Sequence, residues 1–232
     1  MTQILKRTVV RLSREQRVEE ILAAALEVFS EQGFECSTVE IAERAGVVEG
    51  TVYKYFQTKR ELLLKALESW YSGLVEDYAR DLAGIRGFRE RFRYLVWRHL
   101  CEVRNAPNLS RLLFSEARSN ADYRDSPLQV KSRRYTGFII KVVQEGIDAS
   151  ELRSDIPLPL VRNMVFGGIE HHAWNFLYGH GHLEPETVAD QITLLVCEGL
   201  ALKNADDGLR TQVARLARLA DRIEKAEGRK KK

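Results

Sequence analysis

Residues 37–59 constrain the fold of this chain most strongly, because their pattern predicts two short helices joined by a tight turn. Ser37 and Glu40 stand three residues apart, which is the spacing of a capping box at the start of a helix. Gly46 follows the apolar residues of that helix and can adopt the left-handed backbone conformation that ends it. The segment therefore predicts a capped helix and a turn directly after it.

A second short helix, covering about residues 48–56, is predicted after the turn. Val52 and Phe56 lie four residues apart and share one apolar face. The other face is polar and carries Glu49, Thr51, Lys54 and Tyr55. Gly50 costs about 1 kcal/mol relative to alanine in so short a helix, and this cost is understandable where another backbone must come close. A helix-turn-helix whose second helix enters a DNA major groove accounts for these features.

A longer pattern surrounds these helices and matches a known family. Its members here are Thr38-Val39, Ile41-Ala42, Ala45-Gly46-Val47, Gly50-Thr51-Val52-Tyr53, Tyr55-Phe56, Lys59 and Leu62-Leu63. On this pattern, residues 18–66 resemble the amino-terminal domain of the TetR family of one-component transcriptional regulators. Val48 and Glu49 depart from the serine or threonine and the basic residue that the family usually has there, so the resemblance implies no operator sequence.

The chain is predicted to be all-α, because it has only five prolines and no sustained strand-like alternation. We expect a three-helix helix-turn-helix DNA-binding head in residues 1–60 and a larger helical bundle for effector binding and dimerisation in residues 61–206. Residues 207–232 are predicted to form an amphipathic helix and a basic tail. The head begins with a cationic arm made of Lys6, Arg7, Arg11 and Arg14, of the kind that can approach phosphates or a minor groove.

The residues expected to contact DNA are Ser37, Thr38, Val48, Glu49, Gly50, Thr51, Tyr53, Lys54, Tyr55 and Lys59. Thr38 and Lys59 stand at helix starts, where free N–H groups favour a phosphate. Val48 or the methyl group of Thr51 can touch a thymine methyl, and Glu49 can accept from a cytosine amino group. Two alternatives stay open: a solvated Glu49 without a base contact, and a tyrosine packed inward, Tyr53 more readily than Tyr55.

The sequence favours neither catalysis nor a cofactor. It contains no glycine-rich phosphate loop, no nucleophile elbow and no Cys-x-x-Cys pair. The five histidines include the adjacent pair His171-His172, but neighbours on a helix point about 100° apart and cannot easily share an ion. No glutamate stands three residues before a histidine, as di-metal bundles require. We therefore expect no enzyme and no metal site.

The effector pocket and the dimer interface are expectations that the resemblance implies. An apolar pocket is expected among the aromatic residues of the body, namely Trp70, Phe92, Trp97, Phe114, Phe138 and Trp174. Polar contacts are expected from Arg98, Arg118, Arg133, Arg134 and Asn175. In the family, the last two core helices of each subunit form a four-helix dimer interface. The residues in that place are Val165, Gly168, Phe176, Leu195, Gly199 and Leu202.

These observations favour a homodimeric, ligand-responsive transcriptional repressor in the cytoplasm, since no segment has the signal core or the length of a membrane span. Its expected partners are a pseudo-palindromic double-stranded DNA operator, a second copy of itself and a small lipophilic effector, with an acyl thioester of coenzyme A as a candidate. Two alternatives remain. The balanced charge of residues 1–60 suits a protein-interaction module, and the histidines suit a metal-binding helical-bundle enzyme.

Overall fold

The computed structural model describes residues 13–201, and these residues form helices joined by short connections. The helices are α1 (Arg14–Gln32), α2 (Thr38–Arg44), α3 (Glu49–Tyr55), α4 (Lys59–Leu82), α5 (Phe88–Asn105), α6 (Pro107–Leu112), α7 (Pro127–Asp148), α8 (Leu158–Leu177) and α9 (Pro185–Leu200). A π-helical stretch, Leu113–Arg118, continues α6 and is called the π segment below. One antiparallel bridge pairs Leu152 with Ala201. The all-α prediction is confirmed.

The start of α2 follows the capping residues of the sequence. Ser37 accepts a hydrogen bond from the N–H of Val39 at 3.0 Å, and Glu40 accepts from the N–H of Ser37 at 2.9 Å. The predicted capping box is therefore confirmed. Gly46 has a φ of 66°, the left-handed conformation that the turn requires. Because these interactions are local, they could be anticipated from sequence spacing.

The apolar face of α3 anchors the second helix to the head. Val52 is 1% exposed and Phe56 is 5% exposed, and both belong to the hydrophobic cluster that also contains Phe29 of α1 and Leu62 of α4. At about 25 cal/mol per Å² of apolar area, burying a side chain of this size stabilises the fold by about 2 kcal/mol. The buried face leaves the remaining surface of α3 directed away from the core.

The head and the body share one core. The hydrophobic cluster extends from Ile21 to Leu200 without interruption, and α4 packs on α1 in the head and on α7 in the body. The boundary predicted at residue 60 falls inside the first turn of α4 and does not coincide with a break in the chain. The helix α4 therefore belongs to both the head and the body.

Some predictions lie outside the described residues. They concern Lys6, Arg7 and Arg11 of the cationic arm, Leu202 of the interface, and the helix and basic tail of residues 207–232. None of the helices in residues 13–201 combines the length and the apolar character needed to span a bilayer.

Candidate DNA-binding surface and ligand cavity

The outer face of α3 is open to solvent. Val48 is 74% exposed and Tyr53 is 45% exposed, while Gly50 and Lys54 are also exposed. A Cβ atom added at Gly50 would have no neighbour within 4 Å, so packing inside the protein does not require glycine there. This face can approach another molecule closely.

A hydrogen-bonded group of three side chains joins α2 to this face. The Thr38 hydroxyl is bonded to the Glu49 carboxylate and lies 3.2 Å from the hydroxyl of Tyr53. A threonine hydroxyl has one proton, so when Thr38 donates to Glu49, Tyr53 donates to Thr38. Thr38 is only 8% exposed. Thr38 and Glu49, which were both expected to contact DNA, are bonded to each other in this structure, and Thr38 also contacts the hydroxyl of Tyr53.

Lys59 and the tyrosines also differ from expectation. The Lys59 ammonium donates to the main-chain carbonyl of Cys36 and lies 4.7 Å from the ring centroid of Phe34, so in this structure Lys59 connects the start of α4 to the segment that precedes α2. Tyr55 is half-buried against the core, whereas Tyr53 is exposed. The tyrosine that packs inward is therefore Tyr55 and not Tyr53, the more expected of the two.

A cavity of about 300 Å³ lies in the body between α4, α5, α7, α8 and the π segment. Its walls include Trp70, Tyr71, Phe114, Tyr135 and Phe166. Trp70 and Phe114, which were predicted to line an effector pocket, both line this cavity. The volume is at the lower end of the range typical of small-molecule sites, about 300–1,000 Å³.

Four other aromatic residues proposed for the pocket lie elsewhere, because each has another partner. Phe92 is completely buried in the core and packs on Phe88. The Trp97 indole donates to Glu186 at 3.1 Å, and Phe138 packs on Tyr78 with a centroid distance of 5.7 Å. Trp174 is 48% exposed and lies against Tyr178 on the outside of α8.

The exposed lining residues mark the opening of the cavity and include Arg118 and Arg133. Arg118 donates to Glu170 at 2.8 Å. A shallow depression next to the opening also contains Arg118 and adds Arg124. The opening therefore carries more positive than negative charge.

The polar groups at the inner wall, some buried and some half-buried, were not anticipated from the sequence. The hydroxyls of Tyr78 and Tyr135 are 2.6 Å apart, and that of Tyr135 is 2.8 Å from Nδ1 of His99. Burial, assisted by the positive charge of Arg118, lowers the pKa of His99 to about 4. Glu102 also lines the cavity, and burial raises the pKa of its carboxyl group. The available signal was the spacing of His99 and Glu102, three residues apart and so on one face of α5.

Hydrogen bonds connect the head to α6 and to the π segment next to the cavity. Arg60, on the first turn of α4, donates to the carbonyl of Glu116 at 2.6 Å and to the carboxylate of Asp122 at 2.9 Å. Asn108 of α6 donates to the carbonyl of Ser30, near the end of α1, at 2.7 Å. Glu116 belongs to the π segment, whose Phe114 lines the cavity. Sequence reasoning did not identify this connection.

The outer face of α8 and α9 carries several exposed large apolar side chains. Its exposed large side chains are Leu160, Met164, Trp174, Tyr178, Leu194 and Leu195. Of the residues predicted for the dimer interface, Leu195 is 73% exposed, Gly168 and Gly199 are exposed and Phe176 is half-buried. Val165 is corrected: it is 3% exposed and packs in the protomer's own core, so it is not available to a partner.

Within residues 13–201, no three His, Cys, Asp or Glu side chains come together in a group that could hold a metal ion. Cys36, Cys101 and Cys197 are free and buried. The described residues therefore give no support to the metal-binding enzyme alternative.

A capped helix-turn-helix with an open second helix, joined to a helical bundle that encloses a cavity, defines a one-component DNA-binding regulator. Residues 21–66 match the family of bacterial regulatory proteins named after TetR. Residues 68–199 match the C-terminal region of YsiA-like proteins. The chain belongs to the TetR family and is a ligand-responsive transcriptional regulator, as the sequence predicted.

Two curated relatives match this chain over most of their own length. The chain is 25% identical over 183 residues to the fatty acid metabolism regulator protein of Bacillus subtilis (strain 168), covering 78% of this chain and 94% of the relative. It is 26% identical over 155 residues to the HTH-type transcriptional repressor KstR2 of Mycobacterium tuberculosis (strain CDC 1551 / Oshkosh), covering 63% and 74%.

The fold also resembles a solved structure, that of the transcriptional regulator FadR from Bacillus subtilis in complex with stearoyl-CoA. The TM-score is 0.68 at 23% sequence identity, and the match covers 78% of this chain and 98% of that one. At this level of identity the likeness establishes the shared fold.

Proposed function

We propose that the protein is a homodimeric repressor that leaves a pseudo-palindromic operator when an amphiphilic anion, with acyl-coenzyme A as the leading candidate, enters the cavity. The relatives named for fatty acid metabolism and the stearoyl-CoA complex support this effector class. The repressor KstR2 supports the direction of control. The proposal depends most on one observation, the hydrogen bond from Arg60 to the carbonyl of Glu116 in the π segment, whose Phe114 lines the cavity.

In the proposed complex with DNA, the outer face of α3 lies in a major groove. Val48 and Thr51 are the candidates for contacts to base edges, and Tyr53 is held in position by Thr38. Lys54 and Arg14 are exposed cations near the same face, where they can contact phosphates. Two such faces reach successive grooves when they stand about 34–36 Å apart.

In the proposed dimer, α8 and α9 of two protomers pack against each other through their apolar outer faces. Met164 at 69% and Leu195 at 73% exposure would lose contact with water there. Side chains as large and as exposed as Met164 and Leu195 gain most when a partner covers them. A symmetric pair of these faces also sets the two heads at a fixed distance.

The proposed effector places its apolar part among Trp70, Phe114 and Phe166 and its anionic part at the opening. Arg118 and Arg133 offer positive charge there, and the adjacent depression adds Arg124. An anion at the opening competes with Glu170 for Arg118. Guanidinium groups bind phosphate oxygens in a bidentate manner, which suits the phosphates of coenzyme A.

The proposed switch passes through the π segment. An effector that displaces Phe114 or Arg118 moves the same stretch of chain whose Glu116 carbonyl is bonded to Arg60. Since Arg60 belongs to α4, the head moves with it. The effector must bind the released state more tightly than the DNA-bound state, because otherwise it shifts no equilibrium.

Fluorescence anisotropy tests the proposal. An operator fragment is first selected from random DNA by the full chain, and the complex is then titrated with coenzyme A thioesters of six to sixteen carbons. Release by a subset of chain lengths, with no release by coenzyme A alone, supports the proposal. Tighter DNA binding with the thioesters would identify an activator, and no effect from any thioester would exclude this effector class.

A matched pair of variants locates the site. Phe114→Leu alters the cavity wall, whereas Phe138→Leu changes an aromatic residue of the same body outside it. We expect the concentration of effector needed for half release to change at least about fivefold in the first variant and to stay unchanged in the second.

A further inference from the structure

The inner wall of the cavity contains a fixed histidine. Nδ1 of His99 is 2.8 Å from the hydroxyl of Tyr135, which is 2.6 Å from that of Tyr78. The two tyrosines are each 1% exposed. The ring of His99 also meets Phe166 edge to face at a centroid distance of 4.9 Å. The imidazole is therefore held on two sides and cannot turn without breaking these contacts.

The donors in this chain of hydrogen bonds can be assigned. If His99 donated from Nδ1, Tyr135 would donate to Tyr78, and the buried hydroxyl proton of Tyr78 would have no acceptor among residues 13–201. A buried donor without a partner is unfavourable because it has lost its water. In the reverse direction, Tyr78 donates to Tyr135 and Tyr135 donates to Nδ1, so both buried hydroxyl protons have an acceptor. The proton of a neutral ring is then on Nε2.

Nε2 of His99 is open to the cavity. In the described part of the chain, the enclosed side-chain atoms without a hydrogen-bond partner are Nε of Arg91 and Oγ1 of Thr193. Nε2 makes no hydrogen bond within residues 13–201 and is not one of these enclosed atoms. Because His99 lines the cavity, its free N–H group faces the space that an effector occupies.

The neighbouring charge restricts what can meet this N–H group. Burial lowers the pKa of His99 to about 4, so the ring is uncharged near pH 7. The Glu102 carboxylate lies one turn further along α5, lines the same cavity and is paired with Arg98. An anionic group on the ligand finds its positive partners, Arg118 and Arg133, at the opening, whereas the neutral Nε2–H donor suits an uncharged oxygen.

We propose that Nε2–H of His99 recognises a keto or hydroxyl oxygen in the apolar part of the effector, remote from the effector's anionic end. This inference rests on the proposed function, because it names the chemistry of the same ligand. It distinguishes an oxygenated acyl chain from a plain one. Arg118 and Arg133 bind the anionic end at the opening, and His99 reads the oxygen at the inner wall.

Calorimetric titration of the full chain tests the inference with probes that differ by one oxygen. The probes are decanoyl-coenzyme A and its 3-, 5-, 7- and 9-oxo derivatives, with the corresponding free acids as a second series. For the wild type, we expect at least one oxo isomer to bind about five- to tenfold more tightly than its unsubstituted counterpart, the effect of one buried hydrogen bond. In His99→Leu this ratio falls to about one.

Two further variants control the test. Tyr135→Phe keeps the aromatic ring of residue 135 but removes the hydroxyl that fixes the tautomer of His99, so the preference for an oxo isomer should weaken. This variant replaces His99→Leu if the latter does not fold. His172→Leu changes an exposed histidine of α8 and should keep the wild-type ratio. An equal preference in the wild type and in both cavity variants, or no preference for any oxo isomer, overturns the inference.

The two probe series separate this inference from the proposed function. If the thioesters bind and release DNA without an oxo preference, the effector class stands and the role of His99 is wrong. If no thioester binds, but an oxodecanoate binds more tightly than decanoate to the wild type and this difference is lost in His99→Leu, the role of His99 stands and the thioester effector class is wrong. Failure of both series to bind overturns both.

Discussion

Arg60 donates a 2.6 Å hydrogen bond to the main-chain carbonyl of Glu116, and this contact joins the first turn of the helix that leaves the DNA-binding head to the wall of the ligand cavity. The bond ends on a backbone atom of the π segment, so it responds to any shift of that segment. Irregular helical turns of this kind are frequent at functional sites.

Loss of this contact should uncouple ligand binding from DNA binding. In Arg60→Ala, we expect nearly wild-type operator affinity without effector. The factor by which saturating effector weakens operator binding should become about tenfold smaller, a change within the usual range of coupling energies. Anisotropy titrations with and without effector measure it. Arg80→Ala removes an arginine at the far end of α4 that pairs with Asp77 and should leave the coupling intact. Equal coupling in both variants would contradict the proposed route.

Lys54 should contribute through phosphate charge. Replacing it by alanine should weaken binding to all DNA sequences alike and lower the slope of log affinity against log salt by about 0.9 for each lost phosphate contact, hence by about 2 for a dimer. Lys141→Ala changes an exposed lysine of α7 and should have no such effect. An unchanged salt slope for Lys54→Ala would remove this residue from the interface with DNA.

The side chain of Thr38 should support the outer face of α3, the reading face, without touching DNA itself. Thr38→Val removes the hydroxyl that is bonded to Glu49 and Tyr53, so we expect the free energy of unfolding to fall by about 1–2 kcal/mol and the affinity for the selected operator to fall with it. Urea unfolding and anisotropy measure the two quantities. Thr187→Val, at an exposed position of α9, is the control. Full operator affinity in Thr38→Val would show that Tyr53 needs no support.

Leu195 should decide the oligomeric state. Leu195→Glu places two carboxylates in a closely packed apolar interface, and we expect the dissociation constant of the dimer to rise at least about 100-fold. Sedimentation equilibrium measures this constant. Val130→Glu introduces the same charge at a 62% exposed position of α7 and should leave the dimer unchanged. A stable Leu195→Glu dimer would require a different interface.

Protonation of His99 should make stability depend on pH. Its pKa is about 4 in the folded protein and about 6.5 in an unfolded chain, so between these values only the unfolded state binds the proton. The free energy of unfolding is therefore highest above pH 6.5 and decreases as the pH falls towards 4, by about 2 kcal/mol between pH 7.5 and pH 5.0.

The check is urea unfolding at these two pH values and at one fixed protein concentration, since dimerisation adds to stability. His99→Gln lacks the titrating group, and its stability should decrease less over the same interval. An identical pH dependence in the wild type and the variant would show that His99 is protonated equally in both states.

The predictions that succeeded depend on residues close together in the chain. Ser37 and Glu40 form their capping box, Gly46 has the left-handed conformation, and Val52 and Phe56 are buried. Each outcome follows from the geometry of a single helical turn. The pattern that carried the family resemblance consists of such local features, which explains why the fold class and the regulator function could be predicted from it.

The predictions that failed concern which neighbour a side chain packs against. Trp97 and Trp174 have the same aromatic character as Trp70, but only Trp70 lines the cavity. Val165 and Leu195 are both apolar residues of the last two helices, but one faces the protomer's own core and the other faces solvent. Helical periodicity places residues on a common face, but it does not say which neighbour that face meets.

The helices, the capping box of Ser37, the helix-turn-helix and the class of protein could be predicted from the sequence, because they depend on interactions within a few residues. The contacts of Thr38 with Tyr53 across 15 residues, of His99 with Tyr135 across 36 and of Arg60 with Asp122 across 62 could not. Such contacts depend on how whole helices pack, and the packing is set by the shape of the entire core. The reading face, the polar wall of the cavity and the connection between them therefore became visible only in three dimensions.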